Sequence, residues 1–128
     1  MAAREKSIVA QTEQQEWLEK ARTSESVARY LLAGRFIADA AFHAHQAIEK
    51  ALKAILISKT GGLTKTHELV FLGRKAGLPE NLIRDCEKLT ALFLTARYPD
   101  AGRDVGKDDA EKAITIASEV IAWAEQQI

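Results

Sequence analysis

The 128-residue sequence has one cysteine, two prolines, two tryptophans, two tyrosines and no net charge, 18 basic side chains balancing 18 acidic ones. A single cysteine excludes an intramolecular disulfide. Cys86, within E-N-L-I-R-D-C-E-K-L-T-A-L-F, reads as a small core residue in a reducing compartment and not as a reactive thiol. The zero charge balance removes the bulk field that would draw the chain to nucleic acid or anionic lipid and leaves room only for a local basic patch. No stretch approaches the roughly 18 apolar residues of a membrane span, and the apolar run of the N-terminal M-A-A-R-E-K-S-I-V-A-Q-T is too short for a secretory signal. The expectation is a cytoplasmic protein that makes no use of a membrane. What remains is 47% hydrophobic residues in one domain-sized chain, enough to build a core without disulfide or structural metal.

Few prolines, few β-branched runs and long stretches of Ala, Leu, Glu and Lys favour helix, and the apolar spacing divides the chain into five. The first is expected from about Gln14 to Ala33, with Trp17, Ala21, Ser24, Ala28 and Leu31 on one stripe and Gly34 as its stop. Residues 1–13 are read as an N-terminal extension to a domain spanning 14–128. The second runs from about Phe36 to Lys59, with Ile37, Ala41, Ala44, Ile48, Ala51, Leu52 and Ile55 on one face, and Gly61 and Gly62 end it. The third, short helix is N-capped by Thr66, carries Leu69, Leu72 and Ala76, and closes at Gly77 and Pro79. The fourth buries Leu82, Cys86, Leu89 and Phe93 and reaches about Tyr98 before Pro99 forbids continuation. The fifth occupies the C-terminus with Ala113, Ala117, Val120, Ala124 and Ile128 on one face. The fold class is all-α: an up-and-down antiparallel bundle of four long helices plus one short one.

The second helix carries more than a core face. At about 100° per residue its apolar face centres on Ile37, Ile48 and Ile55, while Arg35, Phe42, His45, Gln46, Glu49 and Lys53 fall on a flank about 80° to 180° away. A phenylalanine is out of place on a solvated flank. Glu49 and Lys53, four apart in the favourable order, read either as a surface ion pair worth about 0.2 to 0.5 kcal/mol or, with His45 and Gln46 one turn earlier, as a strip that meets a ligand or partner. Arg97 continues the stripe of the fourth helix. It can cap that helix's C-terminus or fork onto a phosphate or carboxylate. Tyr98 beside it can stack on a base, and Asp100 can orient the guanidinium or accept from a sugar hydroxyl. His67, after Thr66, can satisfy a local backbone group, pack on the second helix or touch a ligand. His43 and His45 face different sides of one helix and His67 lies in a distant loop, so no metal site is expected. G-G-L-T-K-T lacks the spacing and preceding strand of a phosphate-binding Walker loop.

In order along the chain, Trp17, Leu18 and Ala21, then G-R-F-I-A-D-A-A-F-H-A-H-Q-A-I-E-K-A-L-K-A-I-L, T-H-E-L, T-A-R-Y-P-D and the Ala/Ile-rich last helix resemble the HEPN domain family, named for higher eukaryotes and prokaryotes nucleotide-binding. The resemblance covers most of the chain. It implies a helical bundle, homodimers, and association with nucleotides, minimal nucleotidyltransferases or RNA, in toxin–antitoxin-like settings. Many members are metal-independent ribonucleases marked by an Arg, a polar residue and a His after four to six intervening residues. Arg97 matches the Arg alone: Tyr98 follows it, and Gly102, Arg103 and Asp104 stand where the His belongs. Loss of a general acid/base removes on the order of 100- to 10,000-fold in rate.

The resulting expectation is a noncatalytic, homodimeric module without cofactor or metal. It would bind a nucleotide, or a minimal nucleotidyltransferase partner, through His45, Gln46, Glu49, Lys53, Arg97, Tyr98 and Asp100. RNA is not favoured as a ligand. The alternative is a toxin-type ribonuclease that pairs Arg97 with His45 or His67 brought close by the fold. Phe42 and Ala38 on the polar flank, with Trp17 and Trp123 near the chain ends, mark the expected dimer surface.

Overall fold

A computed structural model describes residues 2–60, 66–97 and 105–128, with side chains for 12–60, 66–93 and 105–128. The described residues form five helices, α1 (Ala2–Ala33), α2 (Ile37–Thr60), α3 (Leu69–Ala76), α4 (Glu80–Arg97) and α5 (Lys107–Gln126). The bundle has the expected four long helices and one short one. α1 begins at Ala2 and not near Gln14, so residues 2–13 continue the same helix. The reason is local: no glycine or proline interrupts A-A-R-E-K-S-I-V-A-Q-T-E, and the expected start rested on where the core stripe begins, not on a stop signal.

α2 is the axis of the molecule. Ala40, Ala41, Ala44, Ala47, Ala51 and Ala54 are fully buried along it, and Ala21 and Ala28 on α1 are equally buried. Small side chains on both helices let the backbones approach closely while Leu52, Ile48, Leu56 and Ile57 fill the remaining core. From Ala51 to Ile57 every residue of α2 is buried, so this half is enclosed on all sides and not on the single face expected from periodicity. Trp17 and Trp123 are half-buried and pack on the core. Cys86 is fully buried, and burial, with Asp85 adding to it, pushes its thiol up to about 12. It is an inert core residue.

Two helix ends share one turn design with different residues. At α3, Gly77 takes φ +85°, its N–H donates to the Arg74 carbonyl, and the Leu78 N–H donates to the Gly73 carbonyl at 2.9 Å. This six-to-one, five-to-two pattern normally ends in a left-handed glycine. At α1 the same pattern recurs, Arg35 N–H to Leu32 and Phe36 N–H to Leu31 carbonyls at 3.0 and 2.9 Å, but the left-handed residue is Arg35 at φ +68°. Gly34, the expected stop, sits one residue too early to take that role. α3 itself starts at Leu69 and not at Thr66; the Thr66 hydroxyl accepts the Glu68 N–H at 3.2 Å and turns the chain into it. From α2, Lys59 Nζ donates to the Ala76 carbonyl at 2.8 Å and closes the other end of α3. A Cβ on Gly73 would come within 2.8 Å of Ile83 Cδ1, so glycine is what lets α3 lie against α4.

Candidate functional site

The strip expected along α2 exists, but it sinks into the protein as it runs. Phe42 is 47% exposed, His45 and Gln46 are half-buried, and Glu49 and Lys53 are buried at 4% and 7% exposure. The flank is therefore covered at its C-terminal end. Lys53 Nζ donates to Glu49 Oε2 at 3.0 Å, and the same ammonium lies 5.9 Å from the centroid of the Trp17 ring on α1, with Lys20 at 5.3 Å on that ring. The pair is not the surface pair weighed from sequence. Two charges withdrawn from water cost several kcal/mol each unless they are paired and hydrogen-bonded, and here both conditions are met.

The third member comes from the turn before α3. His67 Nδ1 lies 3.1 and 3.0 Å from the two Glu49 oxygens. An ionised carboxylate only accepts, so Nδ1 carries the hydrogen and donates it. The tautomer of His67 is thereby fixed, and because its side chain is 76% exposed, the Nε2 edge meets solvent. Burial is the largest influence on Glu49 and favours its neutral form, yet the hydrogen bonds from His67 and Lys53 and their charges outweigh it and hold the carboxyl below its usual value. A depressed carboxyl contributes stability above its unfolded pKa and loses it as pH falls through the folded value. The thermal stability gap between the wild type and Glu49→Gln should be wide at pH 7 and close progressively below about pH 4.5. A gap that stays constant from pH 7 to pH 3 would place the carboxylate outside the network.

The N-terminal half of the strip is aromatic. The His45 ring meets Phe93 of α4 at 4.9 Å between centroids and 64°, and Phe42 meets Phe93 at 6.4 Å and His43 at 5.8 Å, all edge-on. Arg97 is the last residue of α4, one turn beyond Phe93; its side chain lies outside the described residues, as do Tyr98 and Asp100. The structure thus joins Glu49 and Lys53 to each other, sends His45 to a separate aromatic contact, and adds His67. Packing of His67 on the second helix was one of the readings the sequence offered, but spacing did not name Glu49, 18 residues away, as its partner. Among the described residues no group of three His, Cys, Asp or Glu side chains is placed to hold a metal ion, and no helix is long and apolar enough to cross a membrane.

The model of the HEPN domain family matches residues 14–127 of the chain. The structure is similar to the crystal structure of TT1696 from Thermus thermophilus, with TM-score 0.79 and 28% identity over 91% of this chain and 98% of that one. It is also similar in fold to ST0689, an archaeal HEPN homologue, with TM-score 0.74 and 23% identity over 90% and 97% of the two chains. No significant match was found among curated proteins.

Proposed function

The chain belongs to the HEPN domain family, and from that premise we propose that it is a noncatalytic, dimeric nucleotide-binding module whose ligand contact is the exposed edge of His67. One observation carries the reading: an imidazole 76% exposed, anchored through Nδ1 on a carboxylate that is 6% exposed. Anchoring removes the ring's rotational freedom before any ligand arrives, which lowers the entropic cost of binding. Neutral, Nε2 accepts from a ribose hydroxyl or base N–H; protonated, it donates to a phosphate oxygen. Glu49 and Lys53, engaged with one another beneath the surface, serve the ligand through His67. Gln46, half-buried and two turns before Lys53, supplies an amide beside the same strip. Arg97, Tyr98 and Asp100, whose side chains lie outside the described residues, are assigned from residue type as the phosphate fork, the stacking ring and the sugar contact. A minimal nucleotidyltransferase is the protein partner that suits a module of this kind.

Calorimetry with adenosine and guanosine nucleotides and a short RNA, on the wild type and His67→Ala, tests the proposal. The expected result is binding of at least one nucleotide that weakens by about 1.5 to 3 kcal/mol in His67→Ala, as for a lost charge-assisted hydrogen bond, together with a lower melting temperature, since the buried Glu49 carboxylate then keeps only Lys53 as its donor. Absence of nucleotide binding at millimolar concentration, or an unchanged affinity in the variant, rejects it. A second reading has its own observation. A carboxylate that fixes a histidine tautomer is the arrangement that orients a general base, so His67 is the histidine through which a ribonuclease with Arg97 would work. Metal-independent RNA cleavage that falls on the order of 100- to 10,000-fold in His67→Ala establishes that reading over the first.

A further inference from the structure

A cleft of about 770 Å³ opens at the other end of the bundle, where the end of α1, the start of α2 and the start of α5 meet. Leu32, Ile37 and Ile114 form its apolar wall, and Arg29, Arg35 and Lys107 bring cations to it. The volume falls within the roughly 300 to 1,000 Å³ typical of small-molecule sites, and an apolar wall with a few convergent charges is their usual make-up. Ile37 lies 12 residues before Glu49 on the same helix, about 18 Å along its axis, so the cleft is separate from the His67 site.

The three cations differ in how far they are already committed. Arg29 gives one nitrogen to Glu25 at 2.8 Å, and Lys107 stands 3.8 Å from Glu111, itself part of the lining. Arg35 pairs with no carboxylate among the described residues and is exposed. Its backbone is also unusual, since it occupies at φ +68° the position that Gly77 fills in the equivalent turn after α3. A side chain in that left-handed conformation is strained relative to glycine. The turn would close as well with glycine, so the guanidinium is not required by the fold, and it is placed on the rim of the cleft.

From this placement we infer that the cleft binds a phosphate monoester carried on an apolar or aromatic body, with Arg35 as the principal phosphate contact and Arg29 and Lys107 assisting. A planar guanidinium held at a fixed turn suits bidentate pairing with phosphate oxygens, and the Leu32, Ile37 and Ile114 wall takes the body.

The test is heteronuclear NMR on the full chain titrated with adenosine 5′-monophosphate and, separately, inorganic phosphate, on the wild type, Arg35→Gly, Lys107→Gln and His67→Ala. Arg35→Gly relieves the left-handed strain, so its melting temperature should equal or exceed that of the wild type, and any loss of binding is not a loss of fold. The expected result is amide shifts at Leu32, Ile37 and Ile114, with binding at least tenfold weaker in Arg35→Gly, weaker in Lys107→Gln, and retained in His67→Ala. The monoester should bind more tightly than phosphate alone. Shifts confined to residues around Glu49 and His67 would overturn this inference while supporting the first site; shifts in the cleft that survive Arg35→Gly unchanged, or none at millimolar ligand, would overturn it as well.

Discussion

Lys53→Ala should lower the stability of the protein by about 3 kcal/mol, near the low end for breaking a buried ion pair, because His67 continues to hydrogen-bond the abandoned carboxylate. For a chain of this size that is roughly 10 to 15 °C in melting temperature. The side chains of Lys53 and Glu49 are 9% and 6% exposed, so water does not replace the lost ammonium as it would for a surface pair. Removing both charges behaves differently. Lys53→Met combined with Glu49→Leu places apolar groups of similar volume between Trp17 and α2, and it should recover most of the loss, since desolvation no longer opposes folding. The double variant should nevertheless bind nucleotide as weakly as His67→Ala, because His67 then has nothing to fix its ring. Thermal melts and calorimetry on the four proteins decide the matter: a single variant within about 2 °C of the wild type would show the pair to be solvated, and a double variant with full affinity would free His67 from Glu49.

The same pair shows how far sequence carried the description. Ala44, Ile48, Ala51, Leu52 and Ile55 were readable as a core face because a 3.6-residue period is a property of the helix alone. Whether Glu49 and Lys53 were solvated was not, since their cover comes from Trp17 on α1 and from the turn at His67, tertiary neighbours with no signature in the local pattern. The helix ends show a finer limit. Glycine was expected to mark the stop of α1, and Gly34 is adjacent to it, but the left-handed residue is Arg35. Propensity favours glycine at such a position without requiring it, so a charged residue placed there is visible only in the backbone dihedral. The fourth helix was legible as far as Arg97 because its apolar stripe is a local pattern, while its expected end at Tyr98 and Pro99 lies outside the described residues.

Phe42→Asp should convert the proposed dimer to monomer. Phe42 is not the most exposed aromatic residue: Tyr30 is 81% and Phe36 60% exposed, and Phe71 equals it at 47%. What distinguishes it is company, because Phe42 forms one cluster with Phe93, His43 and His45 along α2 and α4. A packed aromatic patch can anchor an interface, whereas an isolated exposed ring is ordinary surface. In a twofold dimer the substitution is made twice, so an anchor worth about 2 kcal/mol per copy gives about 4 kcal/mol, or roughly a thousandfold in the dissociation constant. The fold should be indifferent, since the ring is half outside the core, and circular dichroism should superimpose on that of the wild type. Phe71→Asp, equally exposed but stacked among the described residues only with Lys75 at 5.6 Å, should leave association unchanged. Sedimentation equilibrium on the three proteins separates the outcomes. A wild-type monomer at tens of micromolar rejects the dimer, and a dimer that tolerates Phe42→Asp while Phe71→Asp dissociates it moves the interface from the α2–α4 cluster to α3.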